Sequence, residues 1–240
     1  IIVRAFSILE MKMAYKVLSP TKIDFDSARK YINNIEKVHL FYNSAYIPKK
    51  LININKKSIN KNKLTLIGIG RLSHAKGTFD LLNVCINLIK ENYNIHLKWI
   101  GRGAYAEDDI NSNKIVEIEK LEHRIQFLKD LSEEKKYQHL IESDVFVLPT
   151  KDDNMPIAIL EAMACGKPVI SSLMGAIPEV ISKDNGWLVN HSNKNELKEC
   201  IKSIYLKRFD FGKIGNNNRS AFNKFYASEN RVKELINFLN

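Results

Sequence analysis

Two carboxylates, Asp153 and Glu161, stand eight residues apart in the run from Val145 to Val189, VFVLPTKDDNMPIAILEAMACGKPVISSLMGAIPEVISKDNGWLV. The run reads as strand, loop, helix, strand, short helix, strand. A helix rises about 1.5 Å per residue, so Glu161 is fixed on the first turns of its helix while Asp153 hangs from the preceding loop. One rigid acid and one loop acid can face a single cleft at the carboxyl end of a strand, where parallel sheets bind ligands. The residues between them, Met155 to Leu160, are apolar or small and suit a site that sequesters a polar ligand. Upstream, Arg71 and Lys76 lie in Gly70-Arg71-Leu72-Ser73-His74-Ala75-Lys76-Gly77, after an apolar strand and before a helix. Arginine offers a planar fork for phosphate oxygens and lysine a mobile point charge.

The elements that must place these side chains are regular from Leu64 onward. LTLIGIG is followed by a helix over Phe79–Lys90, then IHLKWIGRG, a helix around Asn113–Leu121, IQFL, a helix over Glu133–Ile141, and VFVL. Nearly all-apolar strands separated by helices of about ten residues indicate a parallel sheet covered on both faces. The fold class is therefore a doubly wound α/β domain. Helices over Lys194–Leu206, Phe211–Phe225 and Glu229–Leu239 close the chain. The first 67 residues contain no glycine and read as a helix over 1–14, a strand over Tyr15–Ser19, a helix over Asp26–Glu36 and a strand over Val38–Tyr42. Between these halves, Lys49, Lys50, Lys56, Lys57, Lys61 and Lys63 crowd an asparagine-rich stretch that reads as an exposed linker.

The 240 residues are 45% hydrophobic, enough for one full core and part of another. The formal charge of +10 speaks to anionic partners rather than to fold. Cys85, Cys165 and Cys200 sit far apart with no C-x-x-C, which argues against a disulfide framework or zinc knuckle and for a reduced compartment. The six histidines show no metal-binding spacing, so no metal site is expected. No apolar run approaches the ~20 residues of a membrane span. The chain starts at Ile1 within a helical pattern and reads as a truncated product.

Glu161-Ala162-Met163-Ala164-Cys165-Gly166-Lys167-Pro168-Val169 resembles the donor-sugar motif of family 4 glycosyltransferases, retaining enzymes of the GT-B fold. Gly175 to Val180 and Asn185 to Val189 are similar to the sequence downstream of that motif, and Gly70 to Gly77 resembles the family's phosphate loop. The first acid departs from the pattern: Asp153 stands where the family usually has Glu. The resemblance implies four segments. Residues 1–47 correspond to the end of an N-terminal acceptor domain, 48–63 to a linker, 64–225 to a Rossmann-like nucleotide-sugar domain, and 226–240 to a helix returning to the first domain. Asn43 falls where the family carries an interdomain Asn-Gly.

The resemblance further implies roles. Arg71 and Lys76 would neutralise the leaving pyrophosphate without a metal, by fixed donors aimed at developing charge. Glu161 would accept from the ribose diol, and Asp153 would take hydroxyls of the transferred sugar, with Asp152 as a neighbouring substitute. Backbone N–H groups of Met155, Ile157 and Ala158, near a helix N-terminus, would serve sugar and β-phosphate. The base would rest near Phe127, Leu128 and Lys129, where the strand core is the plainer reading. His74 is read as a surface residue. The partners implied are a nucleotide-sugar donor and a glycan or lipid-linked acceptor, with no cofactor. A cytoplasmic protein with peripheral contact to an anionic membrane follows from charge and cysteine usage.

Three other readings compete. Gly101-Arg102-Gly103-Ala104-Tyr105-Ala106 fits the G-x-G-x-x-A dinucleotide fingerprint of an NAD-dependent oxidoreductase, but Asp130 comes some seven residues late for the ribose acid. The lysine cluster suggests a nucleic-acid binder, yet no aromatics interleave with it as stacking platforms, so nucleic acid is not expected as a partner. A nucleotide-sugar-binding module without catalysis is the third reading.

Overall fold

The computed structural model describes residues 2–52, 62–207 and 209–239. The N-terminal segment comprises α1 (Ile2–Met13), β1 (Val17–Ser19), α2 (Lys22–Arg29) and β2 (Val38–Leu40), with β1 and β2 paired in parallel. α2 lies earlier than the Asp26–Glu36 expected. The Thr21 hydroxyl accepts from the Asp24 N–H at 3.0 Å and starts the helix there. A separate 3-10 turn, Ile35–Lys37, opens on the Asn34 side chain, which accepts from the Glu36 N–H. Part of the expected linker is helical. Lys49–Ile52 form a helical turn, α3, with Leu51 buried. Lys56, Lys57 and Lys61 fall outside the described residues.

The larger unit alternates strand and helix: β3 (Leu64–Ile69), α4 (Thr78–Lys90), β4 (Ile95–Ile100), α5 (Ala106–Ile118), β5 (Ile125–Leu128), α6 (Glu133–Glu142), β6 (Val145–Leu148), α7 (Ile157–Ala164), β7 (Val169–Ser172), α8 (Ile177–Val180) and β8 (Gly186–Val189). Every pairing is parallel, in the order β5-β4-β3-β6-β7-β8. Val145, Phe146, Val147 and Leu148 of β6 are all buried, as a central strand covered on both faces must be. α5 begins seven residues before the Asn113 expected. Ile110, Ile115 and Ile118 are exposed and its core side is carried by Ser112 and Val116, so the apolar period is weak. The Asp108 carboxylate accepts from the Tyr105 N–H and sets its start.

α9 (Lys194–Lys207), α10 (Phe211–Ala221) and α11 (Ser228–Leu239) complete the chain. The helix expected over Phe211–Phe225 instead passes into a π-helical turn, Phe222–Tyr226. There the backbone turns to meet Ala45, whose N–H donates to the Tyr226 carbonyl at 3.1 Å and whose carbonyl accepts from the Ser228 N–H at 3.2 Å. α11 lies against the N-terminal segment: Glu234 pairs with His39 at 2.8 Å, and Phe238 stacks on the same imidazole. Lys167, 5% exposed, donates from Nζ to the Ile141 and Ser143 carbonyls at the end of α6. A cation suits a helix C-terminus, and this one ties α6 to the start of β7.

Candidate functional site

The strand order reverses between β3 and β6, and a crevice opens beyond their carboxyl ends at such a point. β3 leads into residues 70–77, and β6 leads into 149–156. The fully buried Trp99 of β4 holds the first loop down, its indole Nε1–H donating to the Gly70 carbonyl at 2.9 Å. Gly77, at φ +69°, brings that loop onto the second: a Cβ there would stand 2.0 Å from the Pro149 carbonyl oxygen. The Ala75 carbonyl then accepts from the Lys151 N–H at 2.7 Å, with the Thr150 hydroxyl oxygen 3.1 Å away.

This stitching brings together two side chains 77 residues apart. Lys76 Nζ lies 2.5 Å from Asp153 Oδ1, with both side chains mostly buried. The Thr150 hydroxyl donates to the other Asp153 oxygen at 2.6 Å. Asp153 rather than the exposed Asp152 therefore meets the lysine. Arg71, on the same loop as Lys76, is exposed, and its guanidinium has no partner among the described residues. The loop after β7 closes the third side. Gly175, at φ +52°, packs so tightly on the Asp153 carbonyl that a Cβ would come within 2.4 Å of it.

Glu161 is held from α6. Lys136 Nζ donates to its Oε1 at 2.9 Å and the Tyr137 hydroxyl to the same oxygen at 3.0 Å. Burial, reinforced by Glu161, raises the Tyr137 phenol above its ordinary value, so it stays a donor. Burial alone would lower the Lys136 ammonium, but Glu133 and Glu161 outweigh it and the value is raised. Ile157 and Ala158 open α7, where the first N–H groups of a helix lack an intrahelical acceptor. The buried Met155 offers its carbonyl to the Asn43 side chain at 3.0 Å. Phe127 and Lys129 sit at the carboxyl end of β5, on the same rim but two strands from the switch point. Phe127 packs against the core, and Lys129 pairs with Asp109 at 2.9 Å.

The N-terminal segment reaches this rim as well. The Lys22 N–H, opening α2, donates to the Glu179 carboxylate at 2.9 Å, and Asn154 donates to Asp24 at 2.9 Å. Cavities of about 530 and 520 Å³ open elsewhere, beside Trp187 and between α4 and α5, and from the 70–77 loop only His74 lines the second. Sequence reasoning missed Lys136, Tyr137 and Thr150. Tyr137 shares the helical face of Leu140 and Ile141 and so looks like plain core; only the fold shows its hydroxyl reaching Glu161. Asp130, the acid that a dinucleotide reading would assign to a ribose, is held by Arg102 of the glycine-rich segment itself.

A doubly wound parallel sheet with cations and acids gathered at its switch point defines the class of α/β protein. The family model "Glycosyl transferases group 1" matches residues 49–221, and the chain belongs to that family. It is similar to the solved structure of HepE from Anabaena in complex with UDP, with a TM-score of 0.81 and 19% identity, covering 99% of this chain and 66% of that one. It is 27% identical over 148 residues to the putative colanic acid biosynthesis glycosyltransferase WcaL of Escherichia coli, across 59% of this chain and 36% of WcaL. A 41.2 kDa protein of the cps region of Klebsiella pneumoniae is 24% identical over 210 residues, across 84% of this chain and 53% of its own length. The chain thus spans about a third to a half of these two curated relatives. Among the described residues, no helix is long and apolar enough to cross a membrane.

Proposed function

We propose that the β3/β6 crevice binds a nucleoside diphosphate sugar, and that the protein transfers its hexosyl group with retention to a glycan or lipid-linked acceptor. The observation that carries this reading is the contact of Lys76 with Asp153 across two loops, with Arg71 on the first loop unpaired among the described residues. The cations take the pyrophosphate in place of a metal ion, as fixed donors aimed at the charge that develops on the leaving group. Asp153 takes sugar hydroxyls, Glu161 takes the ribose diol, and the N–H groups of Met155, Ile157 and Ala158 serve the sugar and β-phosphate. Phe127 and Lys129 flank the base. HepE, solved with UDP and with UDP-glucose, supports the choice of ligand class, and relatives named for colanic acid and cps biosynthesis support an envelope glycan as acceptor.

Thermal-shift titration tests the reading. UDP-, GDP- or ADP-glucose is expected to raise the melting midpoint, and Arg71→Ala and Glu161→Ala to remove most of that rise. Failure of every nucleotide sugar to stabilise the protein would sink the proposal. Transfer requires donor and acceptor held in one geometry, which supplies several kcal/mol of a rate enhancement. This chain covers only 66% of the HepE chain, so the 240 residues are expected to bind donor yet transfer sugar poorly.

We also propose peripheral contact with anionic membrane on the cytoplasmic side, motivated by the net charge of +10. Each surface Lys or Arg contributes ~1 kcal/mol there. Flotation with phosphatidylglycerol vesicles at low salt is expected to carry the protein up. Protein left wholly in solution would rule this contact out.

A further inference from the structure

Glu161 is not a free carboxylate waiting for a ligand. Both bonds it receives from α6 fall on Oε1, from Lys136 Nζ and from the Tyr137 hydroxyl, while Oε2 has no partner among the described residues. The geometry points to Lys136 and Tyr137 as positioning residues for the nucleoside ribose: they anchor one oxygen of Glu161 so that the other takes the 2′,3′-diol. The inference rests on the nucleotide-sugar reading given above and deepens it.

The physical basis is torsional. The terminal torsion of a glutamate is broad and roughly two-fold, so an unanchored carboxylate presents its oxygens in many planes. Two donors on one oxygen fix that plane, and neither donor is loose. Tyr137 is fully buried in α6, and Lys136 is only 16% exposed at its side chain, fastened on its outer side by Glu133 at 2.8 Å. The Lys136 ammonium also lies over the Tyr137 ring, 4.6 Å from its centroid, so the two donors brace each other. A carboxylate oxygen has two lone-pair sites, which match two adjacent hydroxyls. Oε2 can therefore accept from both members of a cis-diol while Oε1 remains bound to the protein. Charge-assisted acceptance by a carboxylate is about twice as strong as neutral acceptance.

The role predicts a ligand-specific effect that loss of structure would not give. Dissociation constants would be measured by calorimetry for UDP, GDP and ADP, for the 2′-deoxy form of whichever binds tightest, and for inorganic pyrophosphate. The wild-type protein is expected to favour the ribonucleotide over its 2′-deoxy form by about tenfold, the scale of one hydrogen bond to a charged group. Tyr137→Phe and Lys136→Met are expected to cut that preference to about twofold, with pyrophosphate affinity changed by less than about twofold; Lys136→Arg keeps a donor and most of the preference. Tyr137→Phe removes only a hydroxyl and serves as the variant least able to disturb the fold. Variants that weaken ribo and deoxy forms equally, leaving the preference intact, would overturn the positioning role. A wild-type protein that binds the nucleotide without preferring ribose would overturn it too, while leaving the pyrophosphate site standing. If no nucleoside diphosphate binds, the donor-site reading and this inference fall together.

Discussion

Lys76→Ala is expected to weaken nucleoside diphosphate binding by about 100- to 1000-fold, more than any other single change in the crevice. Two effects combine. The first is the loss of the lysine's charge-assisted bonds to phosphate, each worth about 1.5–3 kcal/mol. The second comes from what the lysine leaves behind. Asp153 is mostly buried and keeps only the Thr150 hydroxyl as a side-chain partner once Lys76 is gone. An unneutralised carboxylate would then stand beside the incoming pyrophosphate. At about 4 Å and an effective dielectric near 20, unit charges interact with about 4 kcal/mol. Part of the loss is therefore repulsion, which a second substitution should relieve. The double variant Lys76→Ala with Asp153→Asn is expected to bind UDP, or whichever diphosphate the wild type prefers, about tenfold more tightly than Lys76→Ala alone. Such non-additivity marks residues in direct contact. Calorimetric titration of the four proteins closes the cycle. A Lys76→Ala protein that binds within threefold of wild type would show that the phosphate is held elsewhere.

The same pair shows what could be read from sequence and what could not. The strands β3, β4 and β6 announced themselves as apolar runs, and their alternation with helices implied the parallel sheet. That Arg71 and Lys76 follow one strand, and Asp153 another, was visible as well. That these two strands are neighbours at the reversal of strand order was not, because pairing between distant strands is set by tertiary packing rather than by local pattern. Glycine-mediated contacts such as Gly175 against Asp153 are hidden for the same reason. The start of α5 was hidden because its first turns carry only the exposed Ile110 as a large apolar residue, while the buried Ser112 and Val116 lie further along. α2 starts earlier than expected because its start is carried by the Thr21 side chain accepting from the Asp24 N–H, a cap that apolar period does not show. The roles of Lys136 and Tyr137 required coordinates, since nothing in E-E-K-K-Y distinguishes a donor to a neighbouring helix from a solvated lysine and a core ring.

Gly77→Ala should cost about 3–5 kcal/mol of stability. Gly77 caps α4 in the left-handed region, φ +69° and ψ 16°, where an L-residue is strained by about 1–2 kcal/mol. The larger part is steric. The added methyl would sit 2.0 Å from the Pro149 carbonyl oxygen and 2.8 Å from its carbon, both backbone atoms that cannot rotate away. Relief requires the β3 and β6 loops to part, which breaks the hydrogen bond from the Lys151 N–H to the Ala75 carbonyl, worth about 0.5–1.5 kcal/mol net. Parting those loops also draws Lys76 from Asp153, so affinity for nucleoside diphosphate should fall together with the urea midpoint. Gly212→Ala provides the contrast. In α10 its methyl would meet only the Asp210 carboxylate, at 3.1 Å, and alanine favours a helix over glycine, so the midpoint should barely move. Equal midpoints for Gly77→Ala and wild type would mean that the two loops are not packed as described, and the crevice they form would lose its physical basis.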